Sequence, residues 1–314
     1  MSFLNPSFKS FVKEIYLEQR VEFLALIYRA AQKDLARKIQ DIDITDFNKT
    51  RSEILLTQIN QEIVRLDLAA RKWTKETIPL AYSHGLDLSQ ERLRSLGVSK
   101  YVNMNATVHK SAISVLVDSI TLDFLVANQT IKKNVNQLIR ATQQQVIEDV
   151  QISKMISQGL VEGETRKQIS DRLQAEFEKQ LKEEKFITIN GRNYEPQAYS
   201  RLVSRSRVME SSNQANINAS LQYGVDLVQV DIHSGSCEIC DPYQGKIYSI
   251  SGQDKDFPPL EERPPFHPNC RHLLLPMTRE SLIARGLLQG SIRLSNSTNQ
   301  MVDTVSDYEE VASA

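Results

Sequence analysis

The first 160 residues alternate apolar and polar positions with the period of a helix. Phe8, Phe11, Val12, Ile15, Val21, Phe23, Leu24, Leu26, Ile27 and Leu35 recur mostly three or four apart, with charges between them. That spacing predicts an amphipathic first helix. A break is expected at 41–45, with Thr45 as N-cap of a second long helix. The second helix carries Ile54, Leu55, Ile59, Ile63, Leu66, Ala69, Ala70 and the only tryptophan, Trp73. Proline removes a backbone donor and clashes with the preceding turn, so this helix is expected to fail near Ile78–Pro79, with His84–Gly85 in the turn that follows. A further helical block starts near Asn105 with Val108, Ile113, Val115, Leu116, Ile120, Leu122, Phe124 and Leu125. It continues with a more polar face from Lys132 to Ile156. Hairpins of long helices follow from this pattern, and the stripes read as helical core.

The pattern changes after Gly159. Thr165 and Gln168 have capping-box spacing, and a helix is expected through Ile169, Leu173 and Phe177. Lys185 to Tyr194 alternates around Asn190–Gly191, the strongest short hairpin signal. Pro196 to about Tyr223 returns to helix and ends at Gly224. Val225 to Ile232 alternates as a strand. Residues 242–276 then hold seven of the ten prolines. A segment this long and irregular is uncommon in a compact domain unless something ties it down. A short helix is expected from about Thr278 to Arg285. Beyond Gln289 the chain turns Ser/Thr/Asn-rich and then acidic, and reads as a mobile tail.

Composition narrows the class. With 314 residues the chain can hold two domains, and its net charge of -1 gives no electrostatic reason to expect nucleic acid. No stretch reads as the roughly 20 apolar residues that span a bilayer, and the first residues lack the pattern of a secretory signal. Three clustered cysteines fit a protein made in a reducing cytoplasm and leave one over from any disulfide framework.

The candidate chemistry lies in one window. Cys237-Glu238-Ile239-Cys240 is followed by Pro264-Pro265-Phe266-His267-Pro268-Asn269-Cys270-Arg271-His272. All three cysteines and two of the five histidines gather there. Soft sulfur and nitrogen donors in a C-x2-C…H-x2-C-x-H order suit tetrahedral Zn²⁺. Two thiolates three residues apart reach one ion across a tight turn, and Cys270 is a third ligand. The fourth is His267 or His272. His267 is favoured, and spacing alone does not settle the choice. A thiol redox pair normally sits between a strand and a helix of a βαβ unit, whereas Cys240 runs into Asp241–Pro242. Zinc binding can itself supply folding free energy, on the order of 10 kcal/mol in small zinc modules.

The run from Gly224 through Asp231, His233, Cys237, Cys240, Gly245, Lys246 and Tyr248 to Gly252, closed by His267-Pro268-Asn269-Cys270-Arg271-His272, resembles tailed-phage minor capsid (minor head) proteins. Two related groups share it: the Mu F-like head morphogenesis proteins and the phage minor capsid protein 2 family. The resemblance covers roughly residues 160–280; the helical half is similar only in style. It implies a low-copy, non-enzymatic head component at the portal vertex, acting in head morphogenesis and genome delivery. The implied partners are the portal protein and the major capsid or scaffold protein, with no membrane. The implied location is the virion, after synthesis in the host cytoplasm. Cys237, Cys240, His267 and Cys270 are its motif positions, with His272 where relatives carry cysteine or histidine. Where relatives carry Arg-Thr-Glu, this chain has Arg207-Val208-Met209-Glu210, with an extra residue between the charges. An ordinary i,i+3 ion pair is the simpler reading of Arg207 and Glu210.

Two other functions compete with this one. A catalytic zinc would keep an open position, with His233, Asp231 or Glu238 as general base. The deaminase pattern, however, needs an H-x-E element before P-C-x-x-C, and this chain lacks it. Arg201, Arg205 and Arg207 form a basic cluster on the 196–223 helix and are candidate contacts for weak binding of packaged DNA. A solvated helix face is the alternative. His84 and His109 stand alone and read as surface or capped residues. The fold expected is mainly α. An elongated helical domain spans 1–160. A smaller α+β domain with the zinc-organised loop spans 161–286, and the tail spans 287–314.

Overall fold

A computed structural model describes residues 8–40, 49–98, 103, 105–156, 187–189 and 192–288. The protein is mainly helical, as its apolar period demands. Three long helices come first: α1 Phe8–Gln40, α2 Lys49–Ser95 and α3 Thr107–Ile156. A small hairpin follows, β1 Ile187–Ile189 and β2 Arg192–Tyr194, in register Ile187↔Tyr194. Then come α4 Pro196–Gln222, strands β3 Leu227–Val230, β4 Ile247–Ser249 and β5 Leu274–Met277, and α5 Arg279–Ala284. The second sheet is antiparallel in the order β4-β3-β5. The expected cap at Thr45, the capping box at Thr165 and Gln168, the helix through Phe177, the Asn190–Gly191 turn and the tail from 289 lie outside the described residues.

The chain packs as two compact units made of non-contiguous stretches. One holds Val21–Thr74 and Ser119–Arg201. Here α1 buries Val21, Leu24, Tyr28, Ala31 and Leu35, an alternating three–four spacing that keeps one seam inward. Of the other apolar positions in this stretch, Phe23 and Leu26 stand exposed and Ile27 is half-buried. Trp73 of α2 meets Phe124 of α3 edge-on, with centroids 5.8 Å apart, and Tyr28 meets the same ring at 6.2 Å. A polar chain threads this core. Tyr28 Oη donates to Asn128 Oδ1 (2.8 Å), and Asn128 Nδ2 donates to Asp67 Oδ1 (2.7 Å). Buried polar groups must be paired, so this chain favours the one helix register in which all three meet.

The other unit holds Met1–Arg20, Lys75–Asp118 and Leu202–Ala314. Here α2 departs from the sequence expectation. It runs unbroken through Pro79, and Gly85 is helical. Packing supplies the reason. A Cβ on Gly85 would lie 2.3 Å from Ser212 O of α4, so the glycine marks a close approach of two backbones and not a turn. Ser212 Oγ donates to Ala81 O (3.0 Å) at the same crossing. The lone histidines are core residues too. His109 is fully buried between Tyr82 Oη (2.9 Å) and Gln222 Oε1 (3.0 Å), and His84 is also buried.

One stretch of α3 differs from the composition reading. Thr107–Gln137 is long and apolar enough, by length and composition, to cross a bilayer. Leu116, Ile120, Phe124, Ala127 and Ile131 along it are buried in the protein.

The proline-rich segment holds more regular structure than expected, since β4 and the start of β5 lie inside it. Pro276 fits β5 because this strand is at the sheet's edge. Asp231 N bonds Leu273 O (3.0 Å), so in this ladder Pro276 occupies a position whose backbone groups point away from β3. Arg92 Nε of α2 donates to the outward Pro276 O (3.4 Å). On the far side, Ser249 N bonds Pro258 O (2.8 Å) and Leu260 N bonds Ser249 O (2.9 Å). Leu227, Ile247, Phe257, Met277, Leu282 and Leu288 close one face of the sheet, so the core extends into the stretch assigned to the tail.

Asp226, just before β3, stitches β4 and the segment after it. It accepts from Ser249 Oγ (2.5 Å) and Ser251 N (2.8 Å). Burial alone would raise its pKa, but these hydrogen bonds outweigh burial and hold it below the usual value. A lowered folded pKa stabilises above the unfolded value of about 3.9 and is lost as pH falls through the folded pKa. Asp226→Asn is therefore expected to cost up to about 1 kcal/mol at neutral pH and to flatten the acid limb of the stability curve below about pH 4. Urea melts at pH 3 and 7 check this.

Candidate metal centre

Two hydrogen-bonded turns build the site. In the first, Cys240 N and Asp241 N both bond Cys237 O at 2.9 Å, which folds Cys237 and Cys240 onto one side. In the second, Cys270 N bonds His267 O at 3.0 Å. Pro268 takes the position its fixed φ suits, and Asn269 takes the next at φ 67°. Proline then a positive-φ residue is the signature of a type II turn. The His-Pro-Asn-Cys order is thus a turn that sets a ring and a thiol side by side. Asn tolerates the left-handed region through its short polar side chain, and a β-branched residue does not. Asn269→Val is expected to lose about 1–2 kcal/mol while Asn269→Gly retains stability, as read by thermal melts.

Asn213 of α4 holds the second turn in place. Its Nδ2 donates to His272 O (3.0 Å) and Pro264 O (3.3 Å), and its Oδ1 accepts from Leu274 N (2.9 Å). Asn269 N also bonds Ser206 Oγ of α4 (3.3 Å). Sequence reasoning missed Asn213, because a polar residue inside a helix gives no sign of what it will meet.

The donor atoms fall into two triads that share Cys240: Cys237–Cys240–His267 and Cys240–Cys270–His272. His267 Nε2 lies 3.2 Å from Cys237 Sγ and 3.1 Å from Cys240 Sγ. Cys240 Sγ lies 3.7 Å from Cys270 Sγ, and Cys270 Sγ lies 3.6 Å from His272 Nδ1. All three thiols are free. His267 Nδ1 faces Pro268 O at 2.7 Å, so it carries the proton and leaves the Nε2 lone pair toward the sulfurs.

Tetrahedral zinc, with bonds of about 2.3 Å to sulfur and about 2.0–2.1 Å to nitrogen, separates its ligand atoms by roughly 3.5–3.8 Å. Within the triads the Cys240–Cys270 sulfur distance already matches, and the nitrogen–sulfur distances need a few tenths of an ångström in one triad and less in the other; Cys270 does not fall within the same group as Cys237 and His267, so joining all four needs a further approach. These Cys and His groups could hold a metal ion. Their electrostatics differ. Backbone N–H groups of Cys240 and Ile239 lower the Cys237 pKa, while burial and then Cys270 raise that of Cys240. A cation replacing the protons would relieve the second cost. Burial likewise lowers the His272 pKa.

The remaining sequence candidates fall elsewhere. Arg201 forms a fork with Glu22 (2.7 and 2.8 Å), Arg205 reaches Glu18 (3.2 Å), and Arg207 pairs with Glu210 (2.5 Å). The last is the i,i+3 pair the spacing suggested. The carboxylates of Glu18 and Glu22, far away in sequence, were not foreseen as partners of the other two. Glu238 is exposed. Asp231 and His233 lie together at the end of β3, with Oδ2 and Nε2 3.1 Å apart.

Neither a curated protein nor a solved structure is matched. The family model of phage minor capsid protein 2 matches residues 12–281. That span takes in most of α1, all of α2 and α3 and both metal-site turns, so the likeness extends well beyond the Cys/His window. The chain belongs to the phage minor capsid protein 2 family, whose members are structural components of the phage head.

Proposed function

We propose that this protein is a minor capsid component docked at the portal vertex, acting in head morphogenesis and genome delivery. In it, a structural Zn²⁺ held by Cys237, Cys240, Cys270 and His267 folds the C-terminal module. The observation that carries this reading is the family match across both the helices and the Cys/His turns. The donor types support the choice of metal: three thiols and an imidazole with a free lone pair suit zinc, and all four bound together would leave no open position in a tetrahedron. A closed site stabilises and does not activate water. The engagement of Arg201, Arg205 and Arg207 by carboxylates makes direct DNA binding a secondary role, because paired charges release few counterions. The partners in this reading are the portal protein and the major capsid or scaffold protein.

Quantitative mass spectrometry of gradient-purified particles tests the assignment. A few copies per portal support it. Abundance in the lysate with none in particles or portal-containing intermediates overturns it.

A further inference from the structure

Beside the thiol centre, a third group of donors converges: Asp231, His233 and His272, with ligand atoms within 4.8 Å of one another. We propose that these three residues form a second divalent-cation site, distinct from the one made by the cysteines. The inference goes beyond the structural-zinc reading and shares only His272 with the alternatives that reading leaves open.

Three observations carry it. First, His272 is only 4% exposed, and its Nε2 is buried with no hydrogen-bond partner. The Nδ1 side of the ring faces Cys270, so the unpartnered nitrogen is the other one. A buried polar atom left unpaired costs about 1–3 kcal/mol, and a ligand bound there removes the cost. Second, His233 has acceptors as its partners: Asp231 Oδ2 at 3.1 Å and the backbone of Arg271. Both nitrogens of the ring therefore face acceptors, an arrangement that either a second ring proton or a metal cation satisfies. Third, two of the ligands are held before any ion arrives. Asp231 N and Leu273 O are paired across β3 and β5, and Asp231 Oδ1 accepts from Leu273 N (2.8 Å), leaving Oδ2 for the site. The rings of His233 and His272 stand edge to face, with centroids 4.8 Å apart.

Two imidazoles and one carboxylate are a borderline donor set. It suits Zn²⁺, Co²⁺, Ni²⁺ or Cu²⁺ and not Ca²⁺ or Mg²⁺, which take oxygen ligands. His233 is half exposed, with 44% of its side chain open to solvent, so an ion could reach these donors from solvent. An ion here would clip the end of β3 to the start of β5.

The test uses the full chain, reduced, stripped of metal and dialysed to equilibrium against Co²⁺. Bound cobalt per chain counts sites. Thiolate-to-cobalt charge transfer in the near ultraviolet reports the cysteine centre alone. Two cobalt ions per chain are expected in the wild type. His233→Gln and Asp231→Asn are each expected to hold one, with charge transfer undiminished. The two readings fail separately. A wild-type chain that binds one cobalt without charge transfer sinks the cysteine centre and keeps this site if His233→Gln removes that ion. One cobalt with full charge transfer in the wild type overturns the second site. So does a second ion that persists in both variants, and so does a loss of charge transfer in both, which would place these residues in the thiolate centre.

Discussion

Cys240→Ser is expected to unfold the 232–273 segment and to make the protein indifferent to chelators. Cys240 is the residue shared by the two thiol triads, and it is 1% exposed. Losing it leaves each set short of a ligand, and serine is a poor donor for a soft ion. Structural zinc supplies on the order of 10 kcal/mol of apparent folding free energy in small zinc modules. A loss of several kcal/mol is therefore expected here, together with thermal unfolding of wild-type protein at lower temperature in a chelator. The effect should spread along Asn213 and Arg92, which tie α4 and α2 to the loop and to β5. It should leave the core around Trp73 and Phe124, in the other packing unit, largely intact. Hydrogen exchange resolved by peptide separates the two regions. Equal protection in wild type and variant across 232–273, or a melting temperature blind to chelation, would remove the metal from the account of this fold.

Gly85→Ala is expected to destabilise the protein by about 3 kcal/mol or more, beyond the usual range for an added methylene in a packed core. The new Cβ would fall 2.3 Å from Ser212 O, 2.7 Å from Ser212 Cα and 2.8 Å from Ser212 C. All three are backbone atoms of a helix, so no side chain can swing away, and α2 and α4 must separate. Helix propensity runs the other way, since alanine in an exposed helix interior gains about 1 kcal/mol over glycine. The two effects have opposite sign, which makes the experiment decisive. A denaturant midpoint unchanged or raised in Gly85→Ala would show that the close crossing is not required.

Gly85 also shows where the sequence stops being legible. The helical period, the hairpin flanks, the end of α4 at Gly224 and the short α5 could all be read locally, because each depends on residues a few positions apart. Pro79 and Gly85 read as breakers, since breaking is what they do in isolation. Their meaning here is set by α4, over a hundred residues later. The same holds for the arginines of α4. A basic run without nearby acids reads as a solvated helix face or a weak nucleic-acid contact until Glu18 and Glu22 of α1 are brought alongside. The cysteines were legible because turn chemistry and ligand spacing are both local. The role of Asn213, and the meeting of Asp231 with His272, came only with the sheet. Strands β4 and β5 escaped notice because short strands among prolines carry too few residues to show a period of two.

Each margin of the small sheet is blocked at one position, and this limits how copies of the protein can join there. A free strand edge is a row of unpaired N–H and C=O groups that recruits another chain by templating. Along β5, Pro276 offers no outward N–H, and its carbonyl is occupied by Arg92. Along β4, Ser249 spends both outward groups on the 258–260 segment. Strand addition, the route to fibrils and to donor-strand exchange, is blocked at both positions. Crowding many copies together should therefore disfavour extension of this sheet at Pro276 and at Ser249.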